Sequence, residues 1–159
     1  MTIILIGMPG SGKTTVGKEI AKVLNVPVID TDALIIEQTG KSIKELLDQD
    51  FTDIETRAIL SIPLEFNGII STGGSVIYSN AAMKHLKKIG PVIYLYVTLD
   101  TLNERVTNFS ERGIVIGENM SFKDLYEERC PMYERWADDS IVNDDLGNTV
   151  NRLQTADFS

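Results

Sequence analysis

The chain has 159 residues, 43% hydrophobic and 24% charged, the profile of one ordinary globular domain that can bury roughly 70% of its unfolded surface without a disulfide or metal staple. With 15 basic against 23 acidic residues the net charge is −8, which argues against nucleic acid or an anionic membrane as a partner and requires any bound anion to have its own local site. One cysteine, Cys130, and one histidine, His85, exclude an internal disulfide and a zinc cluster.

The first apolar run, Thr2–Ile6, breaks at Gly7. It is too short for a signal-peptide core or a membrane span, so a cytoplasmic protein is expected. Gly7-Met8-Pro9-Gly10-Ser11-Gly12-Lys13-Thr14 follows at once and opens a helical stretch, Lys13–Leu24. This is G-x-x-x-x-G-K-[ST] in the strand-to-helix context that the motif demands. Its glycines let successive N–H groups turn inward around a polyanion, and the helix N-terminus adds partial positive charge. Gly10, Ser11, Gly12, Lys13, Thr14 and Thr15 are therefore the expected ATP-binding residues, with Lys13 on the phosphates and Thr14 on Mg²⁺.

A second apolar run, Val26–Ile29, ends in Asp30-Thr31-Asp32. On an extended segment both carboxylates point the same way, suited to holding magnesium and contacting an attacking hydroxyl; Thr31 or Asp32 could equally cap the helix that follows. Helical spacing recurs near Ile43–Asp48 and over Phe51–Ile62, where Pro63 stops it. Glu55 falls within the apolar arc of Phe51, Ile54, Ala58 and Ile62. The third run, Ile69–Thr72, leads into Gly73-Gly74-Ser75, where bare backbone admits a close approach by another molecule. After a helix at Ala81–Lys88, whose His85 should lie on a solvated face, comes a fourth strand, Val92–Val97, then a helix, Leu99–Thr107, carrying Arg105 near its end. The glycine-containing stretch 108–120 has no period, and Arg112 within it could fold over phosphates as a lid arginine. In the next helix, Ser121–Trp136, Arg129 sits in the middle of an apolar face made by Phe122, Leu125, Tyr126, Tyr133 and Trp136, and so needs an anionic partner: Glu55, a substrate carboxylate, or both. Pro131 should kink that helix, while Cys130 and Trp136 read as packing residues. A fifth strand at Ile141–Val142 and a helix at Asn148–Leu153 close the chain. Strand runs that are apolar throughout, alternating with helices, predict a three-layer α/β fold with a five-stranded parallel sheet in one domain, 1–159.

GMPGSGKTT, DTD after the second strand, STGGS after the third, RGIV in the lid and EERCPMY in the late helix together resemble the shikimate kinase family, from Met1 to about Val142. The resemblance implies a P-loop kinase fold with strand order 2-3-1-4-5, and transfer of the γ-phosphate of MgATP to the 3-hydroxyl of shikimate. It further implies Lys13, Asp32 and Arg112 as catalytic residues, Thr14 and, through water, Asp30 at Mg²⁺, and Arg105 beside adenine. Asp32, Gly73, Gly74 and Arg129 would bind the acid. ATP and a small hydroxy acid are then the partners, and a monomer is expected.

The chain departs from the family pattern F-R-x-x-E, reading Phe51-Thr52-Asp53-Ile54-Glu55, so Thr52 stands at a carboxylate-binding position; Arg57 lies about 140° away on the helical wheel. Loss of one charge-assisted hydrogen bond, worth about 1.5–3 kcal/mol, predicts roughly tenfold to hundredfold weaker binding of shikimate. Ser75 replaces the family's third glycine, and Arg112-Gly113 stands where Arg-Pro is usual. Two alternatives follow: a kinase for another hydroxylated acid or sugar acid, or a nucleotide-binding regulator without phosphotransfer.

Overall fold

The computed structural model describes residues 1–106 and 120–156. The strands β1 (Ile3–Ile6), β2 (Val28–Asp30), β3 (Ile69–Ser71), β4 (Val92–Tyr96) and β5 (Asp139–Val142) form one parallel sheet in the order β2-β3-β1-β4-β5. Side chains of a strand alternate between the faces of a sheet, so a strand covered on both faces is apolar throughout. In β1, Ile4 and Ile6 enter the core beneath α4 (Phe51–Leu60), α5 (Asn80–Ile89) and α7 (Phe122–Trp136), while Ile3 and Leu5 enter a second core under α1 (Lys13–Leu24) and α8 (Leu146–Thr155). The two edge strands depart from this rule. Val28 in β2 and all but Ile141 in β5 are partly or fully exposed, because an edge strand is covered less completely than a central one.

Most expected elements stand within a few residues of their predicted places. A helix that the apolar spacing did not delimit, α2 (Thr31–Thr39), follows β2 directly, and a short helix, α3 (Ile43–Leu46), precedes α4. The cap of α2 is neither Thr31 nor Asp32. Asp30 accepts from the backbone N–H groups of Asp32 and Ala33 at 3.0 and 3.2 Å, and Asp32 belongs to the first helical turn rather than to an extended segment. Ser121 starts α7 with a reciprocal capping box to Asp124, and the helix runs through Pro131 to Trp136. His85 is half-buried rather than solvated, with Nε2 2.7 Å from the carbonyl oxygen of Ile62, two residues past the end of α4. The helix carrying Arg105, α6, spans Leu99–Arg105. Arg112 and the expected lid, apart from Met120, lie outside the described residues.

Candidate active site

The carboxyl ends of β1, β2 and β3 open into one pocket of about 480 Å³, the place where open parallel sheets bind ligands. On one side is the loop between β1 and α1. Gly12, the residue before α1, has φ +94°, and a Cβ there would lie 2.5 Å from Asn143 Nδ2, so no other residue fits. Asn143 donates to the Ser11 carbonyl at 2.6 Å and accepts from the buried Thr149 hydroxyl at 2.7 Å, tying the start of α8 to the floor of the loop. Lys13, 7% exposed, donates from Nζ to the carbonyls of Gly7 and Met8 at 2.6 and 2.9 Å. Arg105 Nη1 donates to the Gly10 carbonyl at 3.2 Å, so this arginine flanks the loop. The Ser11 hydroxyl is buried without a hydrogen-bond partner among the described residues, which marks a place for a ligand oxygen inside a loop built to receive anions.

Thr14 and Asp30 meet where this loop faces β2: Thr14 Oγ1 donates to Asp30 Oδ2 at 3.1 Å, while Asp30 Oδ1 is held by the helix it caps. A hydroxyl beside an anchored carboxylate suits a hydrated Mg²⁺, which takes few protein ligands and keeps its waters. Among the described residues, no group of three or more His, Cys, Asp or Glu side chains could form a metal cage.

The other side is built from distant segments. The N–H of Gly73 donates to the buried Thr31 hydroxyl at 3.1 Å, fixing the turn after β3 against the start of α2. A Cβ on Gly73 would lie 2.7 Å from Asp32 Oδ1 and 3.1 Å from Glu55 Oε2, so two carboxylates converge on the space that this glycine leaves open. Burial, and then the neighbouring Asp30, raise the Asp32 carboxyl above its ordinary range, partly offset by Lys13. Glu55 is fully buried; burial pushes its carboxyl up to about 8 despite the Ser75 hydrogen bond and the charges of Arg129 and Lys13. The Ser75 hydroxyl donates to Glu55 Oε1 at 3.0 Å, whereas Oε2 is unpartnered among the described residues.

Arg129 is buried as the helical wheel required. The acid group expected to hold it, Glu55, takes its hydrogen bond from Ser75 instead, and Arg129 acts on Glu55 as a nearby charge. Arg129 Nε donates to the Tyr78 hydroxyl at 3.3 Å, and a Cβ on Gly74 would lie 3.1 Å from its Nη1. Tyr133, one turn further along α7, donates to the Gly74 carbonyl at 2.6 Å. Thr52 is exposed and does not line the pocket, although Phe51 beside it does. Sequence reasoning missed Asn143, Thr31 as the acceptor for Gly73, and Tyr78. Asn143 follows the end of β5, and inspecting that strand end as closely as the others would have found it.

A phosphate-binding loop at the head of a parallel sheet, sharing one pocket with a buried carboxylate and a buried arginine, defines a P-loop phosphotransferase for a small molecule. The shikimate kinase family model matches residues 9–155. A shikimate kinase of Clostridium botulinum strain 657 is 40% identical over 140 residues, 84% of this chain and 82% of the relative. The crystal structure of shikimate kinase from Aquifex aeolicus superposes with a TM-score of 0.81 at 28% identity, covering 97% of this chain and 94% of that one. That from Bacteroides thetaiotaomicron gives 0.78 at 29% identity, covering 97% and 96%. The chain belongs to the shikimate kinase family, phosphotransferases with an alcohol group as acceptor.

Proposed function

We propose that this protein transfers the γ-phosphate of ATP to the 3-hydroxyl of shikimate. The observation that carries the reading is a single pocket whose wall joins the phosphate-loop lysine Lys13 to Asp32 and Arg129 across Gly73 and Gly74. In this reading the backbone from Gly10 to Thr15 and the Lys13 ammonium hold the phosphates, and Arg105 flanks the nucleotide. Thr14 and Asp30 hold hydrated Mg²⁺, which supplies neutralising charge on the phosphate oxygens. Gly73 and Gly74 seat the acceptor's ring, and Arg129 receives its carboxylate.

Asp32 orients the acceptor hydroxyl. As the new oxygen–phosphorus bond forms and the bond to the ADP oxygen breaks, the hydroxyl proton passes to the Asp32 carboxylate, whose burial makes it a better base than an exposed aspartate. Arg112, outside the described residues, is assigned to the developing phosphoryl charge from its sequence position. Catalysis rests on positioning and charge stabilisation, without a covalent enzyme intermediate.

The test is a coupled assay of ADP release with shikimate, a panel of sugar acids and no acceptor. Release that depends on shikimate and exceeds that with every sugar acid is expected. Preference for a sugar acid, or no acceptor dependence, overturns the assignment.

A further inference from the structure

Arg129 is held from two elements. On α7 itself, Tyr133 one turn on hydrogen-bonds the guanidinium, and across from it stands the 3-10 turn Val76–Tyr78, which begins directly after Ser75. Arg129 Nε donates to the Tyr78 hydroxyl at 3.3 Å, Cζ lies 5.2 Å from the centre of the Tyr78 ring, and the Tyr78 hydroxyl donates to Glu128. The direction of these bonds is fixed by chemistry. Nε has a hydrogen and no lone pair to offer, so the phenol oxygen must accept from it and pass its own hydrogen to the carboxylate.

The relay turns the Nε edge of the guanidinium toward Tyr78 and leaves Nη1 beside Gly74, at the rim of the acceptor side. The same backbone segment therefore shapes the floor of the pocket and holds the arginine above it, and the Tyr133 bond to the Gly74 carbonyl locks α7 to that floor. Three described cations line the pocket: Lys13, Arg105 and Arg129. The first two bond to carbonyls of the phosphate loop, and Thr52 brings no charge to the acceptor side. The aim of Arg129 therefore bears heavily on whether a carboxylate is recognised.

We propose that Tyr78, backed by Glu128, is a positioning residue that aims Arg129 at the carboxylate of the acceptor and thereby sets the preference for a charged over an uncharged acceptor. The proposal rests on the acid-acceptor reading above.

The test uses the full chain and compares wild type, Tyr78→Phe and Glu128→Gln with shikimate and with its neutral methyl ester. Tyr78→Phe keeps the ring and deletes the hydroxyl. It should raise KM for shikimate about tenfold, the size of one lost hydrogen bond to a charged group, with kcat and KM for ATP held within about twofold. KM for the ester should not move. Glu128→Gln, at an exposed site, should raise KM for shikimate in the same direction by less, and stands in if Tyr78→Phe fails to fold. An unchanged KM for shikimate, an equal rise with the ester, or a joint fall in kcat and ATP affinity overturns the proposal. Absence of turnover of shikimate by the wild type overturns the acid-acceptor reading together with it, whereas wild-type turnover beside an unaltered Tyr78→Phe overturns the positioning role alone.

Discussion

The two sides of the pocket are made in different ways. The phosphate side is mostly one stretch of backbone, Gly7 to Thr15, whose shape is set by glycines at positive φ and whose chemistry is that of N–H groups and one ammonium. The acceptor side draws Asp32 from α2, Glu55 from α4, Gly73–Ser75 from the end of β3 and Arg129 from α7, and its chemistry lies in buried side chains. Each side keeps one buried oxygen without a partner among the described residues, Ser11 Oγ on the first and Glu55 Oε2 on the second. The carboxyls that burial makes harder to ionise, Asp32 and Glu55, both face the second. A backbone cradle serves any polyphosphate, whereas assembled side chains are where substrate choice can change. Of the two departures, Ser75 falls there, on Glu55, whereas Thr52 is exposed and outside the pocket lining.

The largest effects should come from breaking the phosphate side. Lys13→Ala removes the ammonium that the loop already holds within hydrogen-bond reach of the Gly7 and Met8 carbonyls. Turnover should fall by about a thousandfold, the upper range for deleting one preorganised group that stabilises transition-state charge; steady-state ADP release measures it, and normal kcat would detach this lysine from the chemistry. Asp32→Asn sharpens the contrast from the other side. It keeps shape but loses the base, so kcat should drop by about a hundredfold while ATP affinity, followed by titration calorimetry, stays close to wild type. Equal loss of nucleotide binding would show that Asp32 belongs to the phosphate side after all.

The same contrast decided what could be read in advance. The loop, its flanking strand and helix, and the order of motifs depend on residues adjacent in sequence, so the place of Gly10 through Thr15 between β1 and α1 could be read from spacing alone. Asp30 as the cap of α2 was harder to foresee, because Asp, Thr and Asp in succession are all competent caps and only the backbone path selects one. Glu55 and Arg129 betrayed themselves as charges on apolar helical faces, but a helical wheel says that a charge is buried and not what it meets. Ser75 claims Glu55 and Tyr78 claims Arg129 through a turn that no periodicity marks. Asn143 lies 132 positions from the carbonyl it holds, a separation at which pattern carries no register.

The mildest break tests the buried carboxyl itself. Glu55 has its acid form favoured by burial up to about 8, against 4.5 for an ordinary glutamate. A group whose pKa is raised on folding binds its proton more readily in the folded chain. Its contribution to stability is therefore complete below about 4.5 and is withdrawn as pH climbs through about 8, where a charge must be left in the interior. Asp32 has the same sign of shift, so wild-type behaviour alone would mix the two. Glu55→Gln separates them: the amide can still accept from Ser75 and cannot ionise. Thermal midpoints measured from pH 5 to pH 9 should fall with rising pH more steeply in wild type than in Glu55→Gln, so that the variant's relative stability improves toward the alkaline end. Parallel curves would mean that Glu55 is already ionised in the folded protein at neutral pH, with the Arg129 charge and the Ser75 hydroxyl outweighing burial, and the acceptor side would then carry one more fixed negative charge than described above.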